Sequence, residues 1–159
     1  YFLMPRTTQS TNSFSKGKNI ASYIFPEKLH CSRCGNLYDF RELDVKDRHR
    51  CPQCKNNLNA SRFIVVCAHG HMDDFPYDWW VHSGKPCPSG TKSPRIKMVN
   101  IYNRTDIDSL RLECTACKTT RSMVQAFSDD ALADFPCTCK HPHFKILMQA
   151  YNMAAVTIR

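Results

Sequence analysis

The 159-residue chain carries ten cysteines, seven histidines and a formal charge of +8, with a mean hydropathy of -0.46. Its hydrophobic fraction reaches 42% only because cysteine is counted in it, and the apolar runs (Phe63 to Val66, Ile96 to Tyr102, Ile146 to Ile158) are too short to cross a bilayer. Length and composition argue against a membrane-spanning protein and leave room for one domain or for several small units.

The first 22 residues are expected to form a polar arm. Arg6 to Asn19 is rich in Ser and Thr and has no apolar period. The opening Tyr1-Phe2-Leu3-Met4-Pro5-Arg6 also lacks the charged-then-apolar order of a secretory signal. Paired thiols without an export signal suggest metal binding in a reducing cytoplasm rather than a disulfide framework.

Residues 23–60 read as a zinc ribbon. Cys31-x2-Cys34 and Cys51-x2-Cys54 stand sixteen residues apart. Each C-x-x-C turn aims two thiolates at one point, and a hairpin of that length brings the two pairs together tetrahedrally. Gly35 and Pro52 suit the tight turns.

Residues 61–104 form a second expected unit. Arg62 to Cys67 is a buried strand by its β-branched run. Tyr77 to His82 is a short helix with an Asp of Asp73-Asp74 as N-cap and Pro76 in its first turn. Cys67-x3-His71 and His82-x4-Cys87 offer two thiolates and two imidazoles at zinc-finger-like intervals. Residues 95–103 are expected to be a strand.

The third unit spans 105–144, with a strand over 110–114 and short helical pieces over Ser122 to Phe127 and Ser128 to Phe135. Cys114-x2-Cys117 and Cys137-x-Cys139 mark another site. Two cysteines one residue apart in a strand point to opposite sides, so the fourth ligand is left open among Cys139, Cys87, His141 and His143. Residues 145–159 are a terminal strand or the start of a further domain. The expected fold is small, α+β and metal-stabilised, with zinc-ribbon-like units in series and two or three structural zinc ions.

The positive balance points to an acidic partner such as nucleic acid, with Arg48, Arg50, Lys55, Arg95, Lys97 and Arg104 as phosphate-contacting candidates. Zinc-bound thiols are deprotonated, however. Two four-thiolate sites would lower the charge to about +4.

One catalytic alternative is present. His69-x-His71-x-Asp73 resembles the H-x-H-x-D-H motif of metallo-β-lactamase-type hydrolases, in which zinc keeps an open position for water. Asp74 stands where that family has a histidine. Ser89-Gly90-Thr91-Lys92-Ser93 lacks the first glycine of a P-loop, and Pro94 follows where a helix would run on. No catalytic residue and no small-molecule substrate are expected.

Arg62-Phe63-Ile64-Val65-Val66-Cys67, Gly70-His71-Met72-Asp73-Asp74-Phe75-Pro76 and Trp80-Val81-His82 together resemble the DrmB family of the DISARM anti-phage system, which carries a segment of the form RFVxxCxxGHxxDFPWxxWVH. Cys31 to Tyr38, Cys114 to Cys117, Arg121-Ser122-Met123 and Cys137-x5-His143 extend the resemblance over roughly 23–159. Tyr77 replaces the usual tryptophan. Cys139 replaces a glycine, which favours Cys137 as the ligand. The resemblance implies a non-ATPase subunit that works with a DrmA-like helicase partner and contacts DNA. A purely protein-protein zinc module is the other non-enzymatic reading.

Overall fold

The computed structural model describes residues 24–101, 106–128 and 130–137, together with the backbone strand 153–157. Among the described residues, three short antiparallel sheets, one short α-helix and clustered Cys and His side chains make a small α+β architecture.

The first sheet orders as β2-β1-β3, from β1 (Lys28–Cys31), β2 (Leu37–Asp39) and β3 (Leu58–Ala60). The segment between β2 and β3 leaves the sheet and returns through the Cys51 turn, where Arg50 bridges Asn57. Cys31, Tyr38, Leu43 and Cys51 form its own small buried cluster.

The second sheet is built on β4 (Phe63–Cys67), whose Phe63, Ile64 and Val65 are buried as the apolar run predicts. It pairs with β5 (Met72–Asp74) on one side and with β9 (Met153–Thr157) on the other. Within the C-terminal segment, residues 153–157 are a strand.

Helix α1 (Tyr77–Val81) begins one turn after β5, but its N-cap is Pro76, with no side-chain cap. The Asp caps expected from sequence belong instead to β5. Asp74 is drawn away because its two carboxylate oxygens accept the backbone N–H groups of Glu27 and Lys28 at 3.0 and 3.1 Å, pinning the entry of the first sheet to the second. The helix ends at Val81 with His82 as its C-cap, and the turn after it is closed by Gly84, left-handed with φ +77, whose N–H donates to Trp79 O at 2.9 Å.

The third sheet follows: β6 (Ile96–Asn100), β7 (Leu110–Cys114) and β8 (Thr120–Ser122) in a meander. The expected helix at Ser122 to Phe127 is a single 3-10 turn over Val124–Phe127, and 130–134 closes in turns. Trp80 is fully buried between α1 and this sheet. Its indole N–H donates to Ser122 O at 3.1 Å, and the Arg121 guanidinium lies 3.5 Å above its ring. Trp79 packs edge-on against Phe135.

One apolar core runs from Leu37 through Phe63, Phe75, Trp80 and Leu112 to Leu132 and Cys137, so the second and third cysteine units share an interior. The first sheet is attached to it through the Asn36–Lys97 bridge and a 2.7 Å bond from Met98 N–H to Gly35 O. Among the described residues no helix is long and apolar enough to cross a membrane.

Candidate metal centres

The three C-x-x-C segments repeat one backbone device. In each, the N–H four residues after the first cysteine donates to that cysteine's carbonyl: Gly35 to Cys31 (2.8 Å), Lys55 to Cys51 (2.9 Å) and Lys118 to Cys114 (2.9 Å). That fifth residue is left-handed in all three, with φ of 76, 58 and 63. The turn leaves the intervening N–H groups facing the sulfurs, which favours thiolates.

In the first centre Cys31, Cys34, Cys51 and Cys54 converge, with Cys31 Sγ 3.4 Å from Cys54 Sγ and Cys34 Sγ 3.6 Å from Cys51 Sγ. These separations are far beyond a disulfide bond. Burial works against ionising Cys51. The Tyr38 phenol at 3.4 Å and the N–H groups of Gln53 and Cys54 outweigh it and bring that thiol down to about 6. Cys34 is pushed up to about 12 by burial and by its sulfur neighbours. The set therefore ionises readily once and resists further thiolates unless a cation joins them, so the donors fit a metal ion.

The second centre gathers His82, Cys87, Cys114 and Cys117. His82 Nε2 lies 3.3 Å from Cys117 Sγ, and Cys87 Sγ lies 3.8 Å from Cys114 Sγ. The other imidazole nitrogen, Nδ1, sits 2.8 Å from an Asp78 carboxylate oxygen and 2.9 Å from the Asp78 carbonyl. With the Nδ1 proton held there, Nε2 is left as the ligating atom. Burial lowers the His82 pKa, but Cys117 and Asp78 outweigh it and hold it above the ordinary value. Cys117 falls to about 6, chiefly through the Thr119 hydroxyl, while burial pushes Cys114 up.

The third centre brings together Cys67, His71 and Cys137, all buried. His71 Nδ1 lies 3.3 Å from Cys67 Sγ and 3.4 Å from Cys137 Sγ. The β4–β5 turn makes the first pair: Cys67 N–H donates to His71 O, and Gly70 takes φ +76 between them.

This grouping differs from the one that spacing suggested. Cys67 and His71 do not share a set with His82 and Cys87, because α1 packs on β7 and β8 and carries His82 to the Cys114 turn. The open position beside Cys114 and Cys117 is filled by Cys87, leaving Cys137 to the β4–β5 turn. The arrangement is nested: Cys67, His71 and Cys137 bracket, in sequence, the four residues of the second centre. Cys139, His141 and His143 lie outside the described residues. Asp78 was missed from sequence, although its position four residues before His82 in a helix was a usable signal.

The H-x-H-x-D segment does not assemble into one donor set among the described residues. His71 turns to the two sulfurs, His69 is exposed, and an Asp73 oxygen accepts the Asp74 N–H.

The phosphate candidates separate. Arg48 stacks on Phe40, and Arg50 donates to Lys55 O, both beside the Cys51 turn. Arg95 lies over Tyr38, and Lys97 stands on β6. Arg104 is outside the described residues.

The chain is 32% identical over 136 residues to the DISARM protein DrmB of Bacillus paralicheniformis, an alignment covering 81% of this chain and 24% of that protein. It thus spans about a quarter of the length of the curated relative it matches. A family model described as a domain of unknown function, DUF8724, matches residues 1–157, and the chain belongs to that family.

Proposed function

We propose that this chain is a zinc-stapled, non-catalytic scaffold of a prokaryotic anti-phage defence complex, acting in the cytoplasm beside a DrmA-like helicase partner and contacting DNA. The observation that carries the reading is the convergence of eleven Cys and His side chains into three buried or half-buried donor sets within a chain similar to a DISARM protein.

Cys31, Cys34, Cys51 and Cys54 would hold one zinc ion; His82, Cys87, Cys114 and Cys117 a second; Cys67, His71 and Cys137 a third. Zinc in such sets supplies cross-links whose binding energy is folding energy. The chain's own residues do the rest. Tyr38 and Asp78 orient donors, Asp74 clips the first sheet to the second, and Gly35 lets the first sheet close on β6. The two thiolate-rich sets of four leave no position for an activated water, which supports a structural role there, while the third set brings together three donors among the described residues.

Elemental analysis of reduced protein tests the metal: two or three zinc ions per chain are expected, and well-folded metal-free protein would remove the reading. Co-expression with the helicase-like subunit tests the partner, and a wild-type chain that fails to co-purify with it removes that arm.

A further inference from the structure

A groove of about 820 Å³ opens where the first sheet meets β6 and β7. It runs between two of the C-x-x-C turns, Cys31 to Gly35 on one wall and Cys114 to Lys118 on the other. Arg33 projects from the first turn, Lys118 follows the second, Arg95 and Lys97 come from β6 and its approach, and Arg62 comes from the start of β4. Glu113 is its one acidic lining residue, and it lies 3.6 Å from Lys118.

Sequence separates these five cations by up to 85 positions, so no basic run announces them. They meet because Gly35 O accepts the Met98 N–H at 2.7 Å and Asn36 bridges Lys97, which fixes one cysteine turn against β6. Arg33, Arg62, Arg95 and Lys118 are exposed, and Lys97 is half-buried and lines the groove. Four or five positive charges against one carboxylate form a strip suited to successive phosphates. No Phe, Tyr or Trp lines the groove and His30 is its one aromatic ring among the described residues, so the cations rather than a row of stacking rings are what it offers a nucleic acid.

We infer that this groove is a sequence-independent track for the phosphate backbone of nucleic acid, with Arg33, Arg62, Arg95, Lys97 and Lys118 as its contacts. The inference rests on the DNA-contacting reading above; it keeps Arg95 and Lys97 from the residues named on sequence and adds Arg33, Arg62 and Lys118. Arg48, Arg50 and Lys55 belong to a different part of the molecule and take no part.

The test is fluorescence anisotropy of the full zinc-loaded chain on short labelled duplexes of differing base composition, titrated with salt. Wild type should bind all of them alike, with log K falling against log salt at a slope of about -4 to -5. The triple variant Arg33→Gln, Arg62→Gln, Lys97→Gln should reduce that slope by about 3 and weaken binding by about 30-fold or more. A charge-matched triple outside the groove, Lys46→Gln, Lys85→Gln, Lys92→Gln, should leave the slope within about 1 of wild type. Zinc content and the melting midpoint verify that both variants fold. Equal losses in the two triples overturn the groove while leaving DNA contact standing; absence of binding by wild type at low salt overturns both.

Discussion

Cys137 Sγ lies 3.4 Å from His71 Nδ1 although 66 positions separate the two residues. The contact ties the turn between β4 and β5 to the end of the third cysteine unit, around the second centre. Closing so long a loop is costly in chain entropy, and a shared metal would offset it.

Cys137→Ala is accordingly expected to lose one zinc ion per chain and at least about 3 kcal/mol of stability, less than the roughly 10 kcal/mol a structural zinc contributes to an isolated finger. The zinc count from the first two centres should persist. Elemental analysis with chemical denaturation reads both; unchanged zinc content would show that Cys137 is not a ligand.

Tyr38→Phe removes the phenol that sits 3.4 Å from Cys51 Sγ while keeping the ring under Arg95. The Cys51 thiol loses a donor that opposes the effect of burial, so zinc affinity at the first centre should fall about 10-fold, as for other partners of ligating atoms. Competition with a chromogenic chelator measures it. The second centre, with no contact to Tyr38, should be unaffected.

Gly35→Ala meets two obstacles at once. A Cβ there would stand 2.3 Å from Met98 O, and the residue sits at φ +76. A loss of about 1–3 kcal/mol is expected from backbone strain, together with loosening of the first sheet from β6. Hydrogen exchange at the Met98 amide should rise more than exchange within β7.

Arg121→Lys is not a mild change. The guanidinium covers the Trp80 ring at 3.5 Å and donates to Trp80 O at 2.8 Å and Ser83 Oγ at 3.2 Å. An ammonium cannot keep the stacked plane and both bonds, so about 2 kcal/mol should be lost. Denaturant titration followed by tryptophan fluorescence checks it.

Burial raises the Asp74 pKa, against the two backbone N–H groups that favour its charge. A carboxyl with a raised folded pKa contributes stability that is complete below its unfolded pKa of about 4 and is lost as pH rises through the folded value. Relative to Asp74→Asn, which does not titrate, the wild type should therefore gain stability as pH falls from neutral toward about 4. Acid loss of zinc affects both proteins alike and cancels in the difference of their denaturation midpoints. A gap that narrows on acidification would contradict the assignment.

The sequence by itself determined the local devices. Cys31-x2-Cys34 and Cys51-x2-Cys54 are close in the chain, and a turn geometry follows from a two-residue spacing, so their convergence was readable directly. The β-branched run at Phe63–Cys67 likewise announced a buried strand, and Trp80 a packed helix. Only the tertiary structure decided which pairs meet which. Each pair supplies two donors and is chemically indifferent to its complement, so spacing favoured the neighbours Cys67, His71, His82 and Cys87. The packing of α1 on β7 and β8 sent His82 to Cys117 instead, and left Cys137 for His71. The basic groove was legible only in Arg95 and Lys97 for the same reason: Arg33, Arg62 and Lys118 come from separate elements that share a surface with them only once Gly35 and Met98 are hydrogen-bonded.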